Sequence, residues 1–90
     1  LKVHEIQVEY SRIDDIYLSP ADRAIKANRL DVDLFISVHC NAFTTELAKG
    51  IETFSYIGSV KGAKLSEDIQ DSIISSGAYT LDRGTKTSNF

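Results

Sequence analysis

The feature that most constrains the fold is the segment Asp33–Ala42, which reads Asp-Leu-Phe-Ile-Ser-Val-His-Cys-Asn-Ala. Five of the six residues from Leu34 to His39 are apolar or small, and they show no alternation of polar and apolar side chains. A short continuous run of this kind is typical of a strand covered on both faces, as in a parallel sheet with helices on either side. We therefore predict a buried strand from Asp33 to His39.

His39 ends this predicted strand. In open α/β sheets the carboxyl ends of the strands line the ligand crevice, so a histidine there is well placed for chemistry. The same position also suits a structural histidine whose ring nitrogens are hydrogen-bonded inside the protein. The pattern alone leaves both interpretations open. Cys40, the next residue, is interpreted as a small buried hydrophobe rather than a nucleophile.

Other segments predict a strand–helix–strand unit before His39. Leu1–Tyr10 is strand-like, because apolar and charged residues alternate over most of its length. Ser19 followed by Pro20 is a strong helix start, and we expect that helix to run to about residues 28–30. Parallel pairing of the two strands with a right-handed crossover follows from this order.

The second half of the chain predicts a strand and a helix. Ile51–Ile57 alternates, and Glu52 shares a face with aromatic residues, where an edge carboxylate paired with a nearby cation is the ordinary interpretation. Val60–Ser76 has helical periodicity, with Ser59 as N-cap and Gly77 as C-cap. The residues expected to face solvent on this helix are Glu67, Asp68, Gln70 and Asp71. The residues from Ala78 to Phe90 are expected to be irregular, with a turn at Asp82-Arg83-Gly84.

These elements predict an α/β fold with a mostly parallel sheet and flanking helices, seen here as an incomplete βαββα portion. Ninety residues make one domain at most. The chain opens with Leu1 inside a strand pattern and stops at Phe90 without a closing element. We therefore expect residues 1–90 to be the central part of a larger domain.

Composition excludes several function classes. The net charge of −3 gives no electrostatic reason to expect nucleic acid or an anionic membrane surface as a partner. No apolar stretch approaches the roughly 18 residues that span a bilayer. A single cysteine, Cys40, excludes an internal disulfide and a zinc module built from several cysteines. The sequence contains no Gly-x-Ser-x-Gly elbow, no phosphate-binding glycine loop and no Cys-x-x-Cys pair.

Five short motifs lie in order along nearly the whole chain: Ser11–Asp15, Leu18–Arg23 with Ala27-Asn28, Asp33–Ala42, Gly50–Thr53, and Asp82–Lys86 with Asn89-Phe90. The most specific piece is Ser37-Val38-His39-Cys40-Asn41, within the predicted buried strand and just after it. Together these motifs resemble the zinc-dependent N-acetylmuramoyl-L-alanine amidases of the type-3 amidase family, in the family's order.

The resemblance implies a zinc hydrolase with a zinc-exopeptidase/amidase-like fold, which cuts the amide between N-acetylmuramic acid and L-alanine in peptidoglycan. It aligns His39 with one zinc ligand. It places the other two ligands, a histidine and a glutamate, before Leu1, and the catalytic glutamate after Phe90. No catalytic residue is then expected within the chain, which alone would be inactive. Asn41 is expected either to orient substrate or to brace its loop.

The resemblance also implies where such a protein acts and what the alternatives are. A secreted bacterial wall enzyme or a phage lysin would work at the cell wall or outside the cell, with peptidoglycan as its substrate. The alternative function is a non-catalytic amidase-like module that binds wall fragments without cutting them. An unrelated α/β domain with a structural histidine would require the ordered motifs to have arisen by chance. The sequence carries no prediction of oligomeric state.

Overall fold

The computed structural model describes residues 5–41, 44–45 and 48–90. Its helices and strands are α1 (Pro20–Leu30), β1 (Ile51–Tyr56), α2 (Val60–Ser75) and β2 (Asp82–Ser88). The chain divides into two compact units, Leu1–Cys40 and Asn41–Phe90, which are described one at a time.

Helix α1 of the first unit begins where the sequence predicts it. The Ser19 Oγ accepts a hydrogen bond from the backbone N–H of Asp22 at 3.0 Å, which satisfies one donor of the first turn. Pro20 occupies the first turn, where a missing N–H costs nothing. The helix ends at Leu30, and its C-cap Asp31 adopts a left-handed conformation with φ of 52°. The predicted helix over 20–30 is confirmed.

The buried strand predicted over Asp33–His39 is wrong for this chain. These residues form no strand, and the side chains of Leu34 and Val38 are 62% and 93% exposed. A central parallel strand depends on hydrogen bonds to neighbouring strands and on helices over both faces, and no described residue pairs with this segment. Cys40, expected to be buried, is exposed for the same reason.

The strand predicted over Leu1–Tyr10 is likewise not formed in the part that the structure describes, 5–10. Residues 1–4 lie outside the described residues. The predicted pairing of this segment with Asp33–His39 therefore has no counterpart among residues 5–41. Neither segment has a strand neighbour among the described residues, and an apolar pattern forms a strand only where it can pair and pack.

The second unit is a parallel two-stranded sheet whose strands are connected in sequence by a helix. Strands β1 and β2 pair in parallel, and α2 supplies the crossover that parallel neighbours require. Asp82 lies opposite Ile51, whereas Thr85 lies opposite Thr53, so β2 holds one extra residue over this stretch. Gly84 lies within this bulge with φ of 76°, a conformation that glycine adopts easily. The expectation of irregular structure from Ala78 to Phe90 is wrong for β2, because backbone pairing with β1 rather than side-chain pattern makes it a strand.

Helix α2 begins at the residue that the sequence predicts, whereas its C-cap is Ser76 rather than the predicted Gly77. The Ser59 Oγ accepts from the backbone N–H of Gly62 at 3.0 Å. At the other end, Ser76 caps the helix and Gly77 follows it with φ of 77°. The Gly77 N–H donates to the carbonyl of Ile74 at 3.1 Å, so a carbonyl of the last turn is hydrogen-bonded.

The most deeply buried side chains of the described structure are polar. They are Ser55, Ser66 and Gln70, and Gln70 is only 2% exposed. The prediction that Gln70 faces solvent is therefore wrong. The apolar residues that repeat at helical spacing along α2 are half-buried, and they are Ala63, Leu65, Ile69, Ile73 and Ile74. The α/β class is confirmed, because the described residues form two helices and a parallel two-stranded sheet, consistent with an incomplete portion of such a fold. Within the described part of the chain, neither helix is long and apolar enough to cross a membrane.

Candidate functional site

His39 is exposed and has one ring nitrogen close to a backbone carbonyl. Its Nδ1 lies 3.2 Å from the carbonyl oxygen of Cys40. Because a carbonyl can only accept, this hydrogen bond requires the proton on Nδ1, which leaves the Nε2 lone pair available. A metal-binding histidine commonly donates its second ring N–H to a carbonyl in this way. The local geometry therefore fits a histidine that binds a metal ion through Nε2.

His39 offers one metal donor, and a catalytic zinc site usually takes three protein ligands. Over residues 5–41, 44–45 and 48–90, no group of three or more His, Cys, Asp or Glu side chains is placed to hold a metal ion. His4, the other histidine of the chain, lies outside the described residues. The described residues thus supply His39 as a candidate donor but do not by themselves form a site of three ligands.

Asn41, predicted to orient substrate or brace its loop, contacts Glu52, the second residue of β1. Its side-chain Nδ2 donates to Oε1 of Glu52 at 3.2 Å. The contact ties residue 41 to β1 across 11 positions of sequence. A bracing contact is therefore present, and a role of exposed Asn41 in substrate binding stays a prediction.

Glu52 is the centre of a charged group that we call the Glu52 cluster, made of Asn41, Glu52, Arg83 and Lys86. The Glu52 side chain is only 6% exposed. Its Oε2 accepts from Arg83 Nε at 2.9 Å and from Lys86 Nζ at 2.9 Å. Lys86 Nζ also donates to the backbone carbonyl of Arg83 at 2.7 Å. The interpretation of Glu52 as a carboxylate paired with a cation is confirmed, with two cations in place of one.

The Glu52 cluster keeps its carboxylate ionised. Hydrogen bonds from Lys86 and then Arg83 hold the pKa of Glu52 below its ordinary value, and they outweigh the opposing effect of burial. Ionised carboxylates accept hydrogen bonds and donate none. At neutral pH, Glu52 therefore presents an acceptor to Asn41.

Sequence reasoning missed the buried glutamine that joins the elements next to this cluster. Gln70 Nε2 donates to the carbonyl of Ile51 at 2.8 Å and to Oδ1 of Asp82 at 2.7 Å. Its Oε1 accepts from the hydroxyl of Thr53 at 2.7 Å. Gln70 stands between acidic residues on a polar stretch of helix, so the sequence offers no signal of its burial. It fixes the strand residues on both sides of Glu52.

Arg83 and Lys86 were also not predicted as partners of Glu52. They are 31 and 34 positions away, and charge pattern does not reveal a pairing at that distance. The only available signal was that both belong to one of the motifs of the resemblance, as Glu52 belongs to another.

Comparison with known proteins places the chain in a family. A family model described as N-acetylmuramoyl-L-alanine amidase matches residues 1–90. The uncharacterized protein YqiI of Bacillus subtilis (strain 168) is 40% identical over 83 residues, which are 89% of this chain and 39% of that protein. The endolysin of Bacillus phage SPP1 is 34% identical over 93 residues, covering 96% of this chain and 33% of the endolysin.

A third relative carries the amidase name. The N-acetylmuramoyl-L-alanine amidase LytC of Bacillus subtilis (strain 168) is 34% identical over 82 residues, which are 89% of this chain and 16% of that enzyme. The chain thus spans between 16% and 39% of the length of these three relatives. No solved structure matches it. Because the family model covers every residue from Leu1 to Phe90, the chain belongs to the N-acetylmuramoyl-L-alanine amidase family.

Proposed function

We propose that the protein containing this chain hydrolyses the amide between N-acetylmuramic acid and L-alanine of peptidoglycan, with zinc as cofactor. The observation that carries the proposal is the match of the amidase family model to all 90 residues. Relatives named as an endolysin and as an amidase support action on the cell wall, and hence a location at the wall or outside the cell.

We assign His39 the role of one zinc ligand. The hydrogen bond between its Nδ1 and the Cys40 carbonyl supports this role, because it leaves Nε2 as the donor atom. When bound, zinc would acidify a water molecule and polarise the carbonyl of the scissile amide. The remaining ligands and the carboxylate that accepts the proton of the water are assigned to parts of the protein outside this chain. The chain by itself is therefore expected to be inactive.

Zinc content and activity, measured on the same samples, test the proposal. The intact parent protein is prepared as wild type, as His39→Ala and as His4→Ala. Bound zinc is determined by elemental analysis, amide hydrolysis is followed on purified peptidoglycan, and circular dichroism checks the fold. We expect stoichiometric zinc and hydrolysis in the wild type, and the loss of both in a folded His39→Ala variant.

The His4→Ala variant is the matched control, because it removes the only other histidine of the chain. We expect it to retain zinc. Equal zinc in the wild type and in His39→Ala would contradict the ligand assignment. Binding of purified peptidoglycan without release of stem peptides would instead support the alternative, a wall-binding module that does not cut.

A further inference from the structure

We propose that Glu52 is a positioning residue that turns the side-chain amide of Asn41 so that its carbonyl oxygen accepts a hydrogen bond from a peptide N–H of the substrate. The inference rests on the proposed function, since it assigns a part of the same substrate to Asn41. It stands on the contacts of the Glu52 cluster, all of which lie within the unit Asn41–Phe90.

The first step is that the two carboxylate oxygens of Glu52 bind different partners. Oε2 accepts from both cations, Arg83 and Lys86, at 2.9 Å each. Oε1 accepts from Asn41 at 3.2 Å. Because the carboxylate is ionised and can only accept, whatever faces Oε1 has to be a donor.

The second step is the orientation of Asn41. An asparagine amide has a donor end, Nδ2, and an acceptor end, Oδ1, and the two are nearly isosteric. The opposite orientation would set Oδ1 against a carboxylate oxygen, with no hydrogen between two partial negative charges. Glu52 therefore selects the orientation with Nδ2 towards it, and Oδ1 faces away from the carboxylate as an acceptor. Asn41 is exposed, so this acceptor is open to a ligand.

The third step is the rigidity of the arrangement. The Glu52 side chain is 6% exposed and is held from β2 by two charge-assisted hydrogen bonds. Lys86 is itself fixed by the carbonyl of Arg83 at 2.7 Å. An acceptor that is oriented before binding loses little freedom on binding, and its affinity gains accordingly. The matching chemical group is the N–H of an amide, which a peptide offers at each residue.

The test is a double-mutant cycle in the zinc-loaded parent protein, with Glu52→Gln, Asn41→Ala and the two combined. The oxygen of a glutamine side chain would face the donors Arg83 and Lys86, so its NH2 end would face Asn41 and favour the reversed orientation, with Oδ1 of Asn41 turned inward. We expect Glu52→Gln to raise KM for a soluble muramoyl peptide about five- to tenfold while kcat changes less than about twofold, as for a lost hydrogen bond made equally in ground and transition states. In the Asn41→Ala background, the same change should have no further effect on KM.

The matched control is Asp68→Asn, which likewise replaces a carboxylate by an amide and removes the exposed Lys64–Asp68 ion pair. It should leave KM and kcat unchanged. All rates are measured well below the temperature at which each variant is half unfolded. Under these conditions, a purely structural role of Glu52 would lower the unfolding temperature and leave KM unchanged.

The outcomes separate this inference from the proposed function. A wild type that neither cleaves nor binds the muramoyl peptide would refute both. A wild type that cleaves it, with Glu52→Gln leaving KM unchanged or raising it equally with and without Asn41, would refute the positioning role alone.

Discussion

Gln70 Nε2 donates a hydrogen bond to Oδ1 of Asp82 over 2.7 Å, and this contact ties the middle of α2 to the first residue of β2. The same nitrogen bonds the carbonyl of Ile51, the first residue of β1. One buried amide therefore joins all three elements of the second unit. Its hydrogen-bonding capacity is used at both ends, which is the condition under which a polar group is tolerated in a core.

We predict that Gln70→Leu lowers the free energy of unfolding by about 2–4 kcal/mol, since it removes the hydrogen bonds that the buried amide makes to Ile51, Thr53 and Asp82. Urea denaturation of the purified protein measures the change. Glu67→Gln, on the exposed side of the same helix, serves as control and should stay within about 0.5 kcal/mol of wild type. Equal effects of the two substitutions would show that the buried network contributes no stability.

The Glu52 cluster should make stability depend on pH. The pKa of Glu52 is lowered in the folded state from its ordinary value of 4.5, chiefly by Lys86 and then by Arg83. The folded state therefore holds the proton less tightly than the unfolded state does. This contribution is complete above pH 4.5 and is lost as the pH falls through the lowered folded-state pKa.

Thermal unfolding followed between neutral pH and the acid limit checks this expectation. Glu52→Gln should start from a lower midpoint at neutral pH and lose less stability on acidification. Its remaining slope has a known source, because hydrogen bonds from Gln70 and from the Gly84 N–H also lower the pKa of Asp82. If the unfolding temperatures of wild type and Glu52→Gln changed in parallel with pH, the result would contradict an ionised Glu52 in the folded protein.

Substitutions at two glycines distinguish the cost of backbone strain from the cost of steric overlap. Gly50 has φ of 109°, and a Cβ added there would lie 2.5 Å from the carbonyl oxygen of Leu81. Gly58 has φ of 85° with nothing within 4 Å of an added Cβ. Gly58→Ala should cost about 1–2 kcal/mol of unfolding free energy from the left-handed conformation alone.

Gly50→Ala should cost clearly more than Gly58→Ala, because backbone atoms near residue 81 have to move as well. Chemical denaturation of the two variants side by side gives the comparison. Equal losses would mean that the approach of Gly50 to Leu81 relaxes at no cost.

The N-cap of α2 gives a further prediction. Ser59→Ala removes the acceptor of the Gly62 N–H and should lower the unfolding free energy by about 1 kcal/mol. Ser59→Asp keeps an acceptor at the same position and adds a favourable charge at the helix start, so it should retain most of the stability. A Ser59→Asp variant as unstable as Ser59→Ala would argue against the cap as the cause. Denaturant midpoints of the three proteins distinguish these results.

Local signals predicted the helices, because their causes are local. A capping serine, a proline in the first turn and a glycine after the last turn lie within a few residues of the ends that they define. Strand Ile51–Tyr56 was also predicted from its own alternation. These features depend little on the rest of the chain.

Features that depend on distant partners were not predictable in the same way. Asp82–Ser88 has almost no apolar residues and is a strand because β1 provides backbone hydrogen bonds. The opposite case is 33–39, an apolar run without a strand neighbour among the described residues. Sheet formation depends on pairing and packing more than on intrinsic preference, so sequence pattern errs in both directions.

The candidate site shows the same division. His39 and Asn41 were singled out by a short motif, and their roles stay predictions. The contacts of Asn41 could not be predicted from that motif, since its partner Glu52 lies 11 positions away and pairs with cations a further 31 and 34 positions along the chain. Gln70 was misassigned because a buried amide is indistinguishable by pattern from an exposed one.

The bulge in β2 has an evolutionary consequence. Arg83 and Lys86 are three positions apart, so regular strand alternation would send their side chains to opposite faces. The bulge that contains Gly84 adds one residue to β2 and so shifts the alternation of side chains. As a result, both cations reach the same oxygen of Glu52. The number of residues in the bulge and the spacing of the two basic residues therefore depend on each other. In homologues that have lost one residue here, we expect the two basic residues to have moved to an even spacing, or one of them to have disappeared together with the acidic partner.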